Sequence, residues 1–288
     1  LRGKNFVEWI KNDLNDATKI REHDWQHTTI RAIEAGIEQL INAGITTVGD
    51  ISATGLSIEP LMNSGLRGIV YIELLGTNPT QLQSRFHDVR ELIEKWRPRE
   101  RADGIQIGLS FHAPYSVHPE LWRIGLEYAE KETLPLCIHV SESPDEYEFF
   151  MQGTGKLIKK YYSDDFPAIE SPHMSPVAYL DEIGALAQKP LLVHAVQVDD
   201  DDIARIKNSG ATIVHCPRSN LRLQCGRMPL EKYLAADIPV LIGSDSLASV
   251  PTLNVFDDIE FAVALHHEQV DPGTLMMMAH GTLPGYKS

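Results

Sequence analysis

Basic residues are scarce in this sequence, and long apolar runs are missing from it. Its 288 residues include 26 Lys and Arg against 40 Asp and Glu, which gives a formal net charge of -14. This acidic balance excludes nucleic acid and anionic membranes as main partners, because both attract basic proteins. No apolar run approaches the ~20 residues that span a bilayer, and no signal-peptide pattern opens the sequence.

Cysteine is equally scarce. The three cysteines, Cys137, Cys216 and Cys225, are odd in number and lack the spacing of a zinc ribbon. Such a set is typical of reduced thiols in a cytosol and not of a disulfide framework. We therefore expect a soluble, cytoplasmic protein with neither nucleic acid nor membrane as a main partner; a small-molecule substrate is implied only by the resemblance described below. Assembly into a homo-oligomer stays open.

Three catalytic signatures are absent or incomplete. Zinc deaminases of the cytidine type need H-x-E followed by P-C-x-x-C; the run 118–120 (HPE) supplies the first half, but the sequence contains no C-x-x-C. The run 153–156 (GTGK) lacks the first glycine of a GxxxxGK phosphate loop. The G-x-S-x-G elbow of a Ser-His-Asp hydrolase does not occur. The cytidine-type zinc site is therefore rejected, the run 153–156 is better interpreted as a glycine-rich turn in the long connection than as a phosphate loop, and a Ser-His-Asp hydrolase is not indicated.

Short apolar runs alternate with longer amphipathic stretches along the chain. Near-continuous apolar strands separated by helices indicate a parallel sheet that is covered on both faces. The predicted strands are Thr46–Asp50, Gly68–Leu75, Ile105–Phe111, Pro135–Val140, Pro190–Ala195, Ala211–Cys216 and Ile238–Asp245. The predicted helices include Thr28–Asn42, Gln81–Trp96, Pro119–Glu132 and Asp199–Asn208. The long connection 141–189 has no obvious strand and is expected to be a lid or to carry helices of its own.

These seven strand–helix units predict an α/β fold, a (β/α)8 TIM barrel that forms a single domain over residues 1–288. A closed barrel needs eight strands, and a barrel open by one strand would expose a long edge. The sequence begins at Leu1 and not at Met, inside a polar, helix-like stretch from Lys4 to Lys19, so we expect strand 1 to lie upstream. The alternative is a doubly wound sheet, which would need a Gly-rich loop after its first strand, and none is present.

Polar residues stand at or near the ends of five predicted strands. They are His112, His139, His194, His215 and Asp245. In a parallel barrel these ends converge on the face that carries active sites, and imidazoles with one carboxylate suit a divalent metal. Each histidine alone would be expected in the core or at the rim, hydrogen-bonded to backbone. Glu142, three residues after His139, is either a proton shuttle or an acidic residue favoured at a helix N-terminus.

The order of motifs over nearly the whole chain resembles the amidohydrolase superfamily, and within it the metal-dependent deaminases and chlorohydrolases of the cytosine and guanine deaminase type. The motifs are FHAPYSVHPEL (Phe111–Leu121), HVSES (His139–Ser143), LVHAVQVDDDDI (Leu192–Ile203), HCPRSNLRLQCG (His215–Gly226) and IGSDSLAS (Ile242–Ser249).

The resemblance implies a role for each matching residue. His139, His194 and Asp245 match metal-site residues. Glu142, His194 and Asp245 match the catalytic residues, with Glu142 as the acid/base of the HxxE motif. The expected substrate-binding residues are His112, Ser116, Glu142 and Asn220, joined by His173, which either enters the site from the long connection or decorates a turn. Arg218 and Arg222 either contact an acidic or ribosyl substituent or are solvated.

Two departures from the family pattern stand out. The other two metal ligands of the family form an HxH pair on strand 1, and this sequence contains no HxH. Family members usually continue from that pair through a phrase like 1–4 (LRGK), so we expect the pair just upstream of Leu1. The family also packs an accessory β-sandwich, built from both chain ends, against the barrel, and residues 279–288 stop near the point where it would resume.

The resemblance implies a metal-dependent hydrolase that acts on C–N bonds. With one Zn or Fe ion to activate water, it would deaminate an aminated heterocycle, namely an aminopurine nucleoside or an aminodeoxyfutalosine-like compound. A chlorohydrolase on the same scaffold is one alternative, since chloride could leave by the same route. A metal-free barrel that only binds a ligand or partner is the other, because two of the four ligands are missing from this sequence.

Overall fold

The computed structural model describes residues 5–10, 24–160, 162–164 and 166–287. Its seven strands form one sheet in chain order, and every neighbouring pair is parallel. The strands are β1 Thr47–Ser52, β2 Arg67–Leu74, β3 Ile105–Phe111, β4 Leu136–Val140, β5 Leu191–His194, β6 Thr212–His215 and β7 Val240–Ile242. The predicted parallel α/β sheet is confirmed. The largest difference is in β7, which is much shorter than the predicted Ile238–Asp245.

Helices connect the strands. They are α1 Phe6–Trp9, α2 Trp25–Asn42, α3 Ile58–Asn63, α4 Leu82–Trp96, α5 Pro119–Glu132, α6 Pro144–Gln152, α7 Lys156–Lys160, α8 Pro176–Glu182, α9 Asp200–Ser209, α10 Pro217–Arg222, α11 Leu230–Ala235, α12 Val255–His266 and α13 Pro272–Met278. Short 3-10 turns lie at Pro79–Gln81, Arg97–Arg99, Pro114–Ser116 and Leu186–Gln188. The long connection carries α6, α7 and α8, as predicted. Of the helix-like stretch predicted from Lys4 to Lys19, residue 4 and residues 11–19 lie outside the described residues.

Local sequence signals explain where the helices begin and end. Helix α5 starts at Pro119 behind the N-cap His118, whose ring nitrogen accepts from the amide of Glu120. Helix α9 has a capping box in which Asp199 accepts from the amide of Asp202. Proline at the first helical position and acidic residues in the first turn are both favourable at a helix N-terminus.

Two apolar cores lie on opposite faces of the sheet, because successive side chains of a strand alternate between faces. The larger core packs the outward side chains against the helices. The smaller core, called the interior cluster here, comprises Ile69, Tyr71, Cys137, Leu191, Val193 and Cys216, with Ile51, Val214, Leu241, Leu283 and Tyr286 packed against it. All three cysteines are buried free thiols, as their number and spacing predict.

The C-terminal segment 283–287 packs beneath the interior cluster. Leu283 and Tyr286 contact that cluster, and the hydroxyl of Tyr286 donates to the carbonyl of Gly104 at 3.1 Å. The side-chain amide of Gln106 donates to the carbonyl of Lys287 at 2.6 Å. Because β3 starts at Ile105, the segment lies at the N-terminal end of the strands and leaves their C-terminal ends free for a site.

None of the helices in the described part of the chain is long and apolar enough to cross a membrane.

Gly108 is required where β3 passes Tyr71. A methyl group there would lie 2.6 Å from Cδ1 of Tyr71 and 2.7 Å from the carbonyl oxygen of Pro135, and the backbone oxygen cannot move away without disturbing the sheet. We expect Gly108→Ala to lower the free energy of unfolding by about 1–3 kcal/mol, measured by urea denaturation. The matched control is Gly36→Ala in α2, where the nearest atom would be Cδ1 of Leu253 at 3.6 Å. That change should raise stability by up to about 1 kcal/mol. Equal stability of the Gly108→Ala variant and the wild type would contradict the close approach.

Candidate active site

Three strand-end histidines meet at the C-terminal end of the sheet. His112 follows β3, His139 lies in β4 and His194 ends β5. The ring centroids of His112 and His139 are 5.3 Å apart, and those of His139 and His194 are 5.5 Å apart. Strand alternation explains the placement of His139, which shares a face with Cys137 of the interior cluster.

The backbone around these histidines adopts conformations that are rare outside glycine. His194 has φ 74°, Ala195 has φ 46° and Ser141 has φ 49°, while Asp245 beyond β7 has φ 64°. Such residues are held by the surrounding structure and cluster at functional sites. Here the carbonyl of Ser141 accepts from the amides of Val196 and Gln197 at 2.9 and 2.8 Å, so the loops after β4 and β5 support each other.

Hydrogen bonds fix the orientation of two of the rings. Nδ1 of His139 donates to the carbonyl of His112 at 2.8 Å, and Nδ1 of His194 donates to Oδ1 of Asn220 at 2.8 Å. In the neutral form of each ring, Nδ1 carries the hydrogen, and the lone pair of Nε2 is available to a ligand. Burial lowers the pKa of His139, and it lowers the pKa of His194 to about 4. Both imidazoles are neutral at physiological pH, which is the form that binds a metal.

His112 and Ser116 form a separate pair next to them. Nδ1 of His112 lies 2.6 Å from Oγ of Ser116. Ser116 also accepts from the amide of Ala113 at 3.1 Å, within the 3-10 turn Pro114–Ser116. Burial lowers the pKa of His112 to about 4, so this ring is a neutral hydrogen-bonding group beside His139.

Glu142 lies directly opposite His194. Its Oε1 is 3.5 Å from Nε2 of His194 and 3.9 Å from Sγ of Cys225, and only 6% of Glu142 is exposed. Burial raises the pKa of Glu142 well above its usual value, and the charges of Asp245 and Glu146 raise it further. The two neighbours are thus a neutral carboxylic acid and a neutral imidazole, and not an ion pair.

Asp245 is held by three donors. Its Oδ2 accepts from Ser219 at 2.5 Å and from Ser249 at 2.8 Å, and its Oδ1 accepts from the amide of Ser246 at 2.7 Å. Ser219 and Asn220 are adjacent in α10, so one short helix orients both Asp245 and His194. The carboxylate of Asp245 also raises the pKa values of His139 and His194 against the effect of burial.

The model of the amidohydrolase family matches residues 6–279 of this sequence. The chain belongs to the amidohydrolase family. An aminodeoxyfutalosine deaminase of Deinococcus radiodurans is 38% identical over 263 residues, which cover 87% of this chain and 62% of that protein. A 5-methylthioadenosine/S-adenosylhomocysteine deaminase of Symbiobacterium thermophilum is 28% identical over 83% of this chain and 54% of that protein. The amidohydrolase chain thus spans less than two thirds of these relatives.

Solved structures show the same fold. An aminofutalosine deaminase of Helicobacter pylori, in complex with methylthio-coformycin, matches with a TM-score of 0.79 at 22% identity, over 97% of this chain and 66% of that one. An adenosine deaminase from Xanthomonas campestris with bound zinc matches with a TM-score of 0.77 at 20% identity, over 92% of this chain and 56% of that one. The seven-stranded sheet is therefore of the TIM-barrel type predicted from the sequence.

The residues of this amidohydrolase fit part of a metal site. His139 and His194 present neutral Nε2 atoms, and Asp245 is an oriented carboxylate, which are donor types that zinc accepts. Within the described residues, however, no three His, Cys, Asp or Glu side chains stand together closely enough to hold a metal ion. The predicted HxH pair upstream of Leu1 stays a prediction, and residues 1–4, expected to follow it, lie outside the described residues.

The structure places two residues of the amidohydrolase, His173 and His215, away from the three strand-end histidines. His173 is exposed, and its Nδ1 lies 3.5 Å from the carbonyl of Met151, so the structure does not bring it to the strand-end histidines. His215 faces away from them because it alternates with Val214 and Cys216, and its Nε2 lies 3.2 Å from Nε2 of His266. The metal-rim interpretation of His215 is therefore corrected.

Arg218 has a structural role that the residue pattern does not indicate. Its guanidinium donates to Asp258 at 2.6 Å and to Asp257 at 3.2 Å, and its side chain is 12% exposed. It joins α10 to α12 and is not solvated, while a contact with a substrate substituent stays a prediction.

Two carboxyl groups of the site were missed from sequence. Glu73 lies near the end of β2, where His139 lowers its pKa against the larger raising effect of burial. Glu146, in the first turn of α6, accepts from the amides of Ser141 and Glu142. The available signals were a carboxylate inside an apolar strand for Glu73, and S-x-x-E, the capping-box pattern, for Glu146.

The buried pair His215 and His266 predicts a pH effect on stability. Burial lowers the pKa of His266 to about 4, below the ordinary value of about 6.5. The native state therefore keeps this ring neutral in a pH range where the unfolded chain binds a proton on it. The free energy of unfolding consequently decreases as the pH falls from about 6.5 toward 4. Between pH 7.5 and pH 5 the wild type should lose about 1–2 kcal/mol more unfolding free energy than His266→Gln. His87→Gln, at an exposed site on α4, is the control. An identical pH dependence of wild type and His266→Gln would contradict this assignment.

Proposed function

We propose that this amidohydrolase is a metal-dependent deaminase that hydrolyses the C–NH₂ bond of an aminated purine nucleoside. The observation that carries the proposal is the buried carboxyl group of Glu142, which faces His194 at 3.5 Å. Burial raises the pKa of Glu142 and lowers that of His194, and the charge of Asp245 raises the pKa values of both groups. The 38% identical aminodeoxyfutalosine deaminase supports this substrate class.

The expected metal is one divalent ion, Zn or Fe, held by His139, His194 and Asp245 together with ligands from the predicted HxH pair. When bound, it would supply an activated water at neutral pH. The zinc in the adenosine deaminase from Xanthomonas campestris supports this choice.

The proton transfers fall to this chain's own residues. Glu142, in its acid form, donates its proton to the ring nitrogen next to the C–NH₂ carbon, which makes that carbon electrophilic. Asp245 accepts a proton from the attacking water, and His194, oriented by Asn220, hydrogen-bonds to that water. Water adds to the carbon, and the proton taken up by Asp245 passes to the amino group as the C–N bond breaks and ammonia leaves. The hydroxyl proton of the adduct returns to Glu142 as the oxo group forms, so the substrate and one water give the oxo product and ammonia.

The remaining predicted residues surround the substrate in this proposal. The neutral ring of His112, fixed by Ser116, offers a hydrogen bond to a heterocycle bound beside His139. Burial of the site excludes bulk water and strengthens each of these hydrogen bonds. His173 is left out because its ring contacts Met151 on the exposed side of the long connection.

A substrate panel tests the proposal. The full-length protein, purified without chelators, is given aminodeoxyfutalosine, 5-methylthioadenosine, S-adenosylhomocysteine and a chlorotriazine, and released ammonia and chloride are measured. Ammonia from at least one of the three nucleosides, without chloride from the triazine, is the expected result. Chloride release without ammonia would identify the chlorohydrolase alternative. Release of neither product, with tight binding of a nucleoside, would identify the metal-free binding barrel.

A further inference from the structure

The loop that carries Glu142 is held from inside the protein by a second carboxyl group. Glu146 is fully buried. Its Oε1 accepts from the amide of Ser141 at 3.0 Å, and its Oε2 accepts from the amide of Glu142 at 2.8 Å. The two carboxyl oxygens of Glu146 thus accept hydrogen bonds from two consecutive backbone N–H groups.

Those two amides need a partner because the backbone there is unusual. Ser141 has φ 49°, a left-handed conformation that costs free energy in a non-glycine residue. The turn takes the two N–H groups out of the sheet pattern, and both Ser141 and Glu142 are buried away from water. A buried amide without an acceptor is costly. Glu146 supplies the acceptors for both.

The position of Glu146 is itself fixed. Its own amide donates to Oγ of Ser143, the N-cap of α6, at 3.2 Å. On the opposite side of the loop, the carbonyl of Ser141 accepts from the amides of Val196 and Gln197. The peptide that carries Glu142 is therefore tied to α6 on one side and to the loop after β5 on the other.

We propose that Glu146 is a positioning residue that holds the carboxyl group of Glu142 opposite His194, a role that rests on the proposed deaminase function. Without Glu146, the backbone at Ser141 and Glu142 would be free to turn its two N–H groups toward other acceptors. This movement would displace the Glu142 side chain. A displacement of about 1 Å at a reacting group lowers the rate by roughly 10²-fold.

The same charge that holds the loop is costly to bury. Burial raises the pKa of Glu146 to about 7, while its hydrogen bonds from the backbone amides of Glu142 and Ser141 lower it. Glutamine, which is neutral, removes that penalty but offers a single acceptor oxygen for two amides. Glu146→Gln should therefore affect the position of the loop more than the stability of the fold.

The test compares Glu146→Gln with Glu148→Gln in the full-length, zinc-loaded protein. Glu148 lies on the same helix, and Thr154 donates to it at 3.2 Å. The readouts are hydrogen exchange of the Ser141 and Glu142 amides, and kcat and KM for ammonia release. In Glu146→Gln we expect exchange at least about 10-fold faster and kcat about 10- to 100-fold lower, with KM within about 3-fold of wild type. Glu148→Gln should change none of these quantities.

The outcomes separate the two proposals. Unchanged exchange of the two amides in Glu146→Gln, or faster exchange with unchanged kcat, would overturn the positioning role. A wild-type protein that releases no ammonia would overturn the deaminase function, and the exchange of the two amides would still decide whether Glu146 holds the loop. If Glu146→Gln has no cooperative thermal transition, Glu146→Asp is measured by the same criteria, since it retains the charge but is one methylene too short to reach both amides.

Discussion

Glu142→Gln is expected to lower kcat for deamination by about 10³-fold or more while leaving the protein folded. Glutamine has nearly the shape of the glutamic acid side chain but has no acidic proton to give to the ring nitrogen of the substrate. The expected effect is large because neither of its neighbours replaces it: His194 is neutral, and burial raises the pKa of the Cys225 thiol far above its usual value. The measurement is steady-state ammonia release.

Stability distinguishes this loss of activity from a loss of structure. Burial raises the pKa of Glu142, so folding at neutral pH favours uptake of a proton by this side chain. Glutamine needs no such uptake, and the melting temperature of Glu142→Gln should equal or exceed that of the wild type. Metal content should also be unchanged, because Glu142 is not one of the proposed ligands. A Glu142→Gln variant with more than a tenth of wild-type kcat would contradict its role as the proton donor.

Asp245→Asn is expected to lose both the metal and the activity, with kcat/KM reduced by about 10³-fold or more. The amide keeps an oxygen that accepts from Ser219 or Ser249, but it has no negative charge to hold a cation or to take a proton from water. The measurements are metal per chain by elemental analysis and ammonia release after added zinc. The same substitution at exposed Asp201, in the first turn of α9, is the matched control.

The two measurements on Asp245→Asn separate its two proposed roles. Loss of metal that excess zinc restores, with activity still absent, would assign the main effect to proton transfer. If added zinc restores both the metal content and the activity, the main effect of the substitution is on metal binding. A variant with normal metal content and normal activity would contradict both roles.

The elements were predictable because their signals are local. β3 and α5 have the predicted bounds, since apolar residues alternate through the whole run IQIGLSF and Pro119 opens a stretch with helical spacing. β7 was predicted too long, because the strand covers only Val240–Ile242 and the chain turns away before Asp245, which adopts φ 64°. The pattern of apolar residues predicts which residues are buried, but it does not predict where the hydrogen bonds of a strand end.

The site was only partly predictable because it depends on which face a residue takes. His139 and His215 both stand at strand ends, yet the first shares a face with Cys137 of the interior cluster and the second lies opposite His266. Their position within the alternation of each strand separates them, once the interior face is known. The S-x-x-E pattern marks Glu146 as a helix-capping residue, but its contact with two backbone amides follows from the turn at Ser141, which no residue pattern marks.

The central claim, a single divalent metal acting with Glu142 and Asp245 in hydrolytic deamination, is tested most directly by removing the metal and titrating it back. The full-length protein is treated with a chelator, dialysed and returned to activity with known amounts of zinc, while ammonia release from aminodeoxyfutalosine is followed. We expect negligible release from the metal-free protein and a linear recovery that ends at about one zinc per chain. Full activity without metal, or no recovery at any zinc concentration in a protein that was active before chelation, would contradict it.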